Sequence, residues 1–162
     1  MEVFYNNKKI INNQFLSTNK TQDEPTIIFH FSQKILYTLI MYDPDAVNGT
    51  FIHWLVTNIK SGIHSGDTIL SYKGPSPPPK TSKHRYIFEL WEQTPIKNDY
   101  NTKERYTNNI KKIKTQLDLG KLISKIQFIS QNKIGGKKTN KKRKINKIKQ
   151  NITKKNKTIK YN

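Results

Sequence analysis

Three stretches of this chain carry the apolar patterning of β-strands. Tyr37-Thr38-Leu39-Ile40-Met41-Tyr42 is a continuous apolar, β-prone run. It stops at Asp43-Pro44-Asp45, where Asp and Pro favour chain reversal. His53-Trp54-Leu55-Val56-Thr57-Asn58-Ile59 is the second run, closed by Lys60-Ser61-Gly62. His84-Arg85-Tyr86-Ile87-Phe88-Glu89-Leu90-Trp91-Glu92 is the third. A period of two puts His84, Tyr86, Phe88 and Leu90 on one face and Arg85, Ile87, Glu89 and Trp91 on the other. Shorter apolar pieces predict further strands at 3–5, 26–31 and 68–72. Ile110, Ile113 and Leu117 recur at helical spacing and predict one helix over 107–117, stopped by Asp118-Leu119-Gly120. Residues 122–130 alternate loosely and read as a closing strand.

The interruptions are equally informative. Gly74-Pro75-Ser76-Pro77-Pro78-Pro79 cannot be a central strand, because proline lacks an N–H and has a fixed φ. It reads as a stiff, extended loop. A polar linker follows Thr94-Pro95. The expected class is therefore mainly β with short helices.

Composition bears on the C-terminal end. The 162 residues suit one domain. Their hydrophobic fraction, 33%, is low for a chain that is core throughout. Of 30 Lys+Arg and 11 Asp+Glu, residues 134–162 hold 12 basic residues and no acidic one, which leaves 18 against 11 before them. Lys137-Lys138 and Lys141-Lys142-Arg143-Lys144 repel one another and have little to bury, so a disordered basic tail is expected beyond a folded domain of residues 1–133. The readings of that tail are nuclear import through Lys141 to Lys144, or nucleic-acid or anionic-membrane contact from Lys137 to Lys160. Against them stands solvated ballast from AT-rich coding. With no cysteine, no h-region after Met1 and no long apolar run, a soluble, cytoplasmic protein is expected.

Candidate chemistry gathers at strand ends, where functional groups are usually presented. Asp43 and Asp45 flank a turn, His53 and His84 open strands, and Tyr86 shares the face of His84. Singly, each has an ordinary explanation: turn stabilisation, a satisfied rim histidine, a core tyrosine. Two Asp and two His lack the compact spacing of a metal motif. Ser76 on a proline-stiffened loop has no nucleophile elbow around it. Neither catalysis nor a cofactor is expected.

In this order the motifs resemble the phosphatidylethanolamine-binding protein family. The resemblance rests on Tyr37 through Asp43-Pro44-Asp45-Ala46, then His53-Trp54-Leu55-Val56-Thr57-Asn58-Ile59. It continues through Tyr72-Lys73-Gly74-Pro75 with Pro77-Pro78, and His84-Arg85-Tyr86-Ile87-Phe88 with Trp91-Glu92-Gln93. This chain departs from the family pattern at Val47, Phe51-Ile52, Lys80-Thr81-Ser82 and Leu122-Ile123. The resemblance implies a large central sheet packed on a smaller one. It also implies a shallow pocket for an anionic head group, lined by Asp43, Asp45, His53, Pro77, Pro78, His84 and Tyr86. Its implied ligands are phospholipid head groups, phosphorylated small molecules or a partner's phosphorylated side chain, and its implied protein partners are kinases and proteases. For such a ligand the histidines and Tyr86 would donate to phosphate oxygens, and Asp43 or Asp45 would receive an ammonium or orient a histidine.

Overall fold

A computed structural model describes residues 1–94, 96, 100 and 102–132; the tail expected from residue 134 lies outside these. The strands are β1 (Glu2–Tyr5), β2 (Lys8–Lys9), β3 (Gln14–Phe15), β4 (Thr26–Ile28), β5 (Leu36–Asp43), β6 (Thr50–Ile59), β7 (Asp67–Leu70), β8 (His84–Gln93), β9 (Tyr106–Thr107) and β10 (Leu119–Ser130). The one α-helix among the described residues is α1 (Ile110–Gln116).

A small sheet has the order β2-β1-β4, and a seven-stranded sheet runs β3-β10-β8-β5-β6-β7 with β9 also on β6. Pairing is antiparallel except between β10 and β3. The three strong strand expectations become β5, β6 and β8, the middle of the large sheet. Both faces of that middle are covered, which is why β5 reads as an unbroken apolar run. On one face Leu39, Met41, Trp54, Val56, Tyr86, Phe88 and Phe128 pack with Val3 and Tyr5 of the small sheet. On the other, Ile40, Tyr42, Ile52, Leu55 and Ile87 pack with Ile113 and Leu117 of the helical segment. The expected two-sheet, mainly β architecture is the observed one.

Several boundaries moved. The helix starts at Ile110, because the Asn109 side chain caps it, accepting from the Lys111 and Lys112 N–H groups at 3.0 and 3.3 Å. It stops where Asp118 adopts φ +50°, and β10 begins at once at Leu119, earlier than the alternation at 122 suggested. The 26–31 strand ends at Ile28, and the 68–72 strand is Asp67–Leu70. Two-residue strands β2, β3 and β9 are too short to leave a periodic signal. Asn6 and Asn7, at φ 49° and 60°, supply the left-handed pair that a tight hairpin between β1 and β2 requires.

Candidate functional site

The strand registers bring the candidate residues to one end of the large sheet. Asp43, the last residue of β5, pairs with Phe51 of β6, and Tyr42 pairs with Ile87 of β8. The end of β5 therefore meets the beginnings of β6 and β8. Between the last two strands, the proline-rich segment lies against β6: the Lys73 N–H donates to the His53 carbonyl at 2.9 Å. Together these elements enclose a cavity of about 310 Å³ lined by Asp43, His53, Pro77, Pro78, His84 and Tyr86, among others.

Asp43 and His84 form its inner wall. Both are buried, and His84 Nδ1 lies 2.7 Å from Asp43 Oδ2. Asp43 Oδ1 accepts the Asp45 backbone N–H at 2.8 Å, so both carboxylate oxygens are engaged. On the other side of the ring, Nε2 sits 3.1 Å from the Thr81 hydroxyl, whose proton goes to the Pro78 carbonyl at 2.8 Å. Both ring nitrogens of His84 therefore face acceptors. Burial raises the Asp43 pKa above its ordinary 3.8, and the bonds from His84 and Asp45 only partly offset it.

His53 owes its position to a fault in the ladder. Met41 pairs with Trp54 and Tyr42 with Ile52, so His53 is the extra residue of a bulge in β6. Bulges re-aim side chains, and this one delivers His53 to the cavity. Its Nδ1 meets the Lys73 carbonyl at 2.5 Å, so that nitrogen carries the proton. Burial lowers its pKa from 6.5 to about 4, overcoming the Lys73 carbonyl bond, and the charges of Arg105 and Lys73 push the same way. His53 is consequently neutral near pH 7, and its one ring proton goes to the Lys73 carbonyl. Arg105 clamps the region from behind, donating to the Ile52 and His53 carbonyls at 3.1 and 3.2 Å and to the Ser71 carbonyl at 2.9 Å.

The Tyr86 ring packs edge-on to His53, 5.1 Å between centroids, and stacks on Phe128. Its hydroxyl makes no hydrogen bond among the described residues, and burial, then the Asp43 charge, holds it in the protonated state. Pro77 is buried and Pro78 exposed. Asp45 is the exception among the expected residues. Its carboxylate turns away to chelate Arg85, with Nε at 2.8 Å and Nη2 at 2.7 Å, and accepts the Arg85 N–H at 2.9 Å. It does not line the cavity. The reason is alternation: Arg85 lies on the opposite face of β8 from His84 and draws Asp45 with it.

Reading the sequence missed Lys73, Phe51, Thr81 and Tyr106. Lys73 lines the cavity with its Nζ 5.4 Å from the centre of the Phe51 ring. Among the described residues no three His, Cys, Asp or Glu side chains are grouped as metal ligands would be, and no helix is long and apolar enough to cross a membrane.

Comparison with known proteins bears on the same span. Protein TERMINAL FLOWER 1 of Arabidopsis thaliana is 28% identical over 148 residues, covering 85% of this chain and 82% of its own. Protein FLOWERING LOCUS T of the same plant is 27% identical over 144 residues, 83% and 81% of the two chains. Among solved structures, a carboxypeptidase Y inhibitor in complex with its cognate proteinase superposes with TM-score 0.68 at 22% identity, over 81% of this chain and 82% of that one. A phosphatidylethanolamine-binding protein from Plasmodium vivax gives TM-score 0.65 at 19% identity, over 80% and 84%. These structural likenesses concern the fold. The family model described as phosphatidylethanolamine-binding protein matches residues 4–157, nearly the whole sequence, and the chain therefore belongs to the phosphatidylethanolamine-binding protein family.

Proposed function

We propose that this protein binds a phosphate-bearing anion in the cavity without transforming it, and that occupancy governs its contact with a protein partner. One observation carries the reading: Asp43, His53, His84 and Tyr86 converge from three strands on one cavity that also holds Lys73. Tyr86 supplies an O–H donor for a phosphate oxygen, and a ligand oxygen that takes the place of the Thr81 hydroxyl receives the His84 Nε2–H. Pro77 and Pro78 form a rigid wall, so little is lost in ordering it on binding. A catalytic reading needs a nucleophile held by a free base. Ser76 lines the cavity, but among the described residues its hydroxyl makes no hydrogen bond to His53 or His84. The inhibitor relative makes a protease the first partner class to test, with a kinase next.

The test is calorimetric titration of the full chain with inorganic phosphate at fixed salt, repeated on His84→Gln. A charge-assisted bond contributes about 1.5–3 kcal/mol, so the variant should bind about 10- to 100-fold more weakly. If wild type and variant give the same isotherm, binding belongs to other cations and the pocket assignment fails.

The basic composition of residues 134–162 favours a second reading, contact with nucleic acid or an anionic membrane. Such binding should weaken steeply with salt, with a log–log slope of about −0.9 per duplex phosphate neutralised. A flat salt dependence on duplex DNA would dismiss the nucleic-acid form.

A further inference from the structure

The cations and carboxylates of this pocket are unevenly committed. Among the described residues Asp43 is the one carboxylate lining the cavity, and both its oxygens are occupied, by His84 and by the Asp45 N–H. Asp45 is chelated outside by Arg85. No carboxylate is left to receive a ligand ammonium among the described residues. The cations show the opposite pattern. Lys73 lines the cavity, rests on the face of Phe51 and has no acidic partner among the described residues. Arg105, bound to three carbonyls and the Ser71 hydroxyl, has none either. His53 gives its Nδ1 proton to a carbonyl and adds no charge near neutrality.

We infer that Lys73 makes this pocket selective for phosphate monoesters that carry no ammonium group, over zwitterionic ammonium phosphates such as phosphoethanolamine. This rests on the anion-binding reading above and sharpens it. A monoester carries a charge of about −1.5 to −2 at pH 7 and can be shared between Lys73, the Tyr86 hydroxyl and, in place of Thr81, the His84 Nε2–H. A zwitterion brings an ammonium that meets Lys73 at the cavity wall, where like charges repel and no free carboxylate offsets them among the described residues.

The experiment compares ethyl phosphate with O-phosphoethanolamine, which differ by that ammonium, on the full-length protein by calorimetry at pH 7.5. Ethyl phosphate should bind about tenfold more tightly. Lys73→Met keeps the apolar stem over Phe51 and leaves the backbone bonds to His53 in place. It should weaken ethyl phosphate about tenfold and abolish the preference, and Lys73→Arg should restore both. Melting temperature checks that each variant is folded. Equal or tighter binding of phosphoethanolamine by the wild type overturns the inference. So does a Lys73→Met variant that weakens both ligands equally or neither. If neither ligand binds the wild type, the anion-binding reading falls with it. A phosphoserine peptide run beside ethyl phosphate separates the two sources: tighter peptide binding assigns the monoester to a protein partner, weaker binding to a small molecule, and either result supports the inference.

Discussion

Two carboxylates are buried in the large sheet, and their surroundings differ in kind. Glu89, in the middle of β8, faces the helix. It receives the Tyr42 hydroxyl at 2.9 Å, the Trp91 indole N–H at 3.1 Å, and the ammonium groups of Lys114 at 2.6 Å and Lys125 at 3.5 Å. Lys114 also lies over the Trp91 and Tyr42 rings. Burial pushes the Glu89 pKa up, yet these partners, Lys114 foremost, bring it below its ordinary 4.5. Asp43, at the end of β5, has fewer partners, and burial prevails. Glu89 is a closed rivet between sheet and helix. Asp43 borders open space, and its environment changes when something enters. A buried charge alone therefore does not mark a functional site. A buried charge whose neighbours are incompletely satisfied is the better marker.

The sharpest way to break this contrast is Glu89→Ala. It strands Lys114 and leaves the buried Tyr42 hydroxyl and the half-buried Trp91 indole N–H without an acceptor, and removing one partner of a buried pair costs about 3–5 kcal/mol. Urea unfolding should show that loss, while phosphate affinity of the folded fraction stays unchanged. A loss under about 1 kcal/mol would show that the rivet is not one.

Acid gives the next largest effect. The unfolded chain protonates His53 near 6.5, and the folded chain only near 4. Its contribution to stability is full above about pH 6.5 and declines as pH falls toward 4. The difference is about 3 kcal/mol at the low end. His53→Gln should remove that part of the pH dependence, measured as unfolding free energy at pH 7.5 and 4.5. Parallel profiles for the two proteins would mean that His53 is not held neutral by the fold.

The smallest expected effect is at Tyr86. Its hydroxyl has no partner to lose among the described residues, so Tyr86→Phe should leave the melting temperature within a degree or two. It should weaken phosphate binding by about 0.5–1.5 kcal/mol, the worth of one hydrogen bond. A large drop in stability with unchanged binding would move Tyr86 from the site into the core.

Much of this is legible in the sequence. Period-two alternation placed His84 and Tyr86 on one face, and the apolar runs located β5, β6 and β8. Less visible were features that depend on how distant segments meet. The bulge that swings His53 into the cavity is a mismatch between two strands, and neither shows it alone. Asp45 looked equivalent to Asp43 until Arg85, 40 residues on, was seen to claim it. Lys73 was one lysine among many, singled out only by the ring beneath it and the absence of a carboxylate beside it. Glu89 read as one more residue on an alternating strand, because its partners Tyr42 and Lys114 come from other elements.

The position of β10 in the sheet has a consequence for synthesis. This strand slots between β8 and β3, its Phe128 stacks on Tyr86, and its Ser130 lies opposite His84. A nascent chain can pair β5, β6 and β8 soon after residue 93 leaves the ribosome, yet Phe128, on which Tyr86 stacks, comes about 35 residues later. Contacts of such sequence separation form slowly. Until they do, Tyr86 and Phe88 present an open apolar edge of the kind that chaperones hold. The support beneath Tyr86 is thus completed only after β10 has been made.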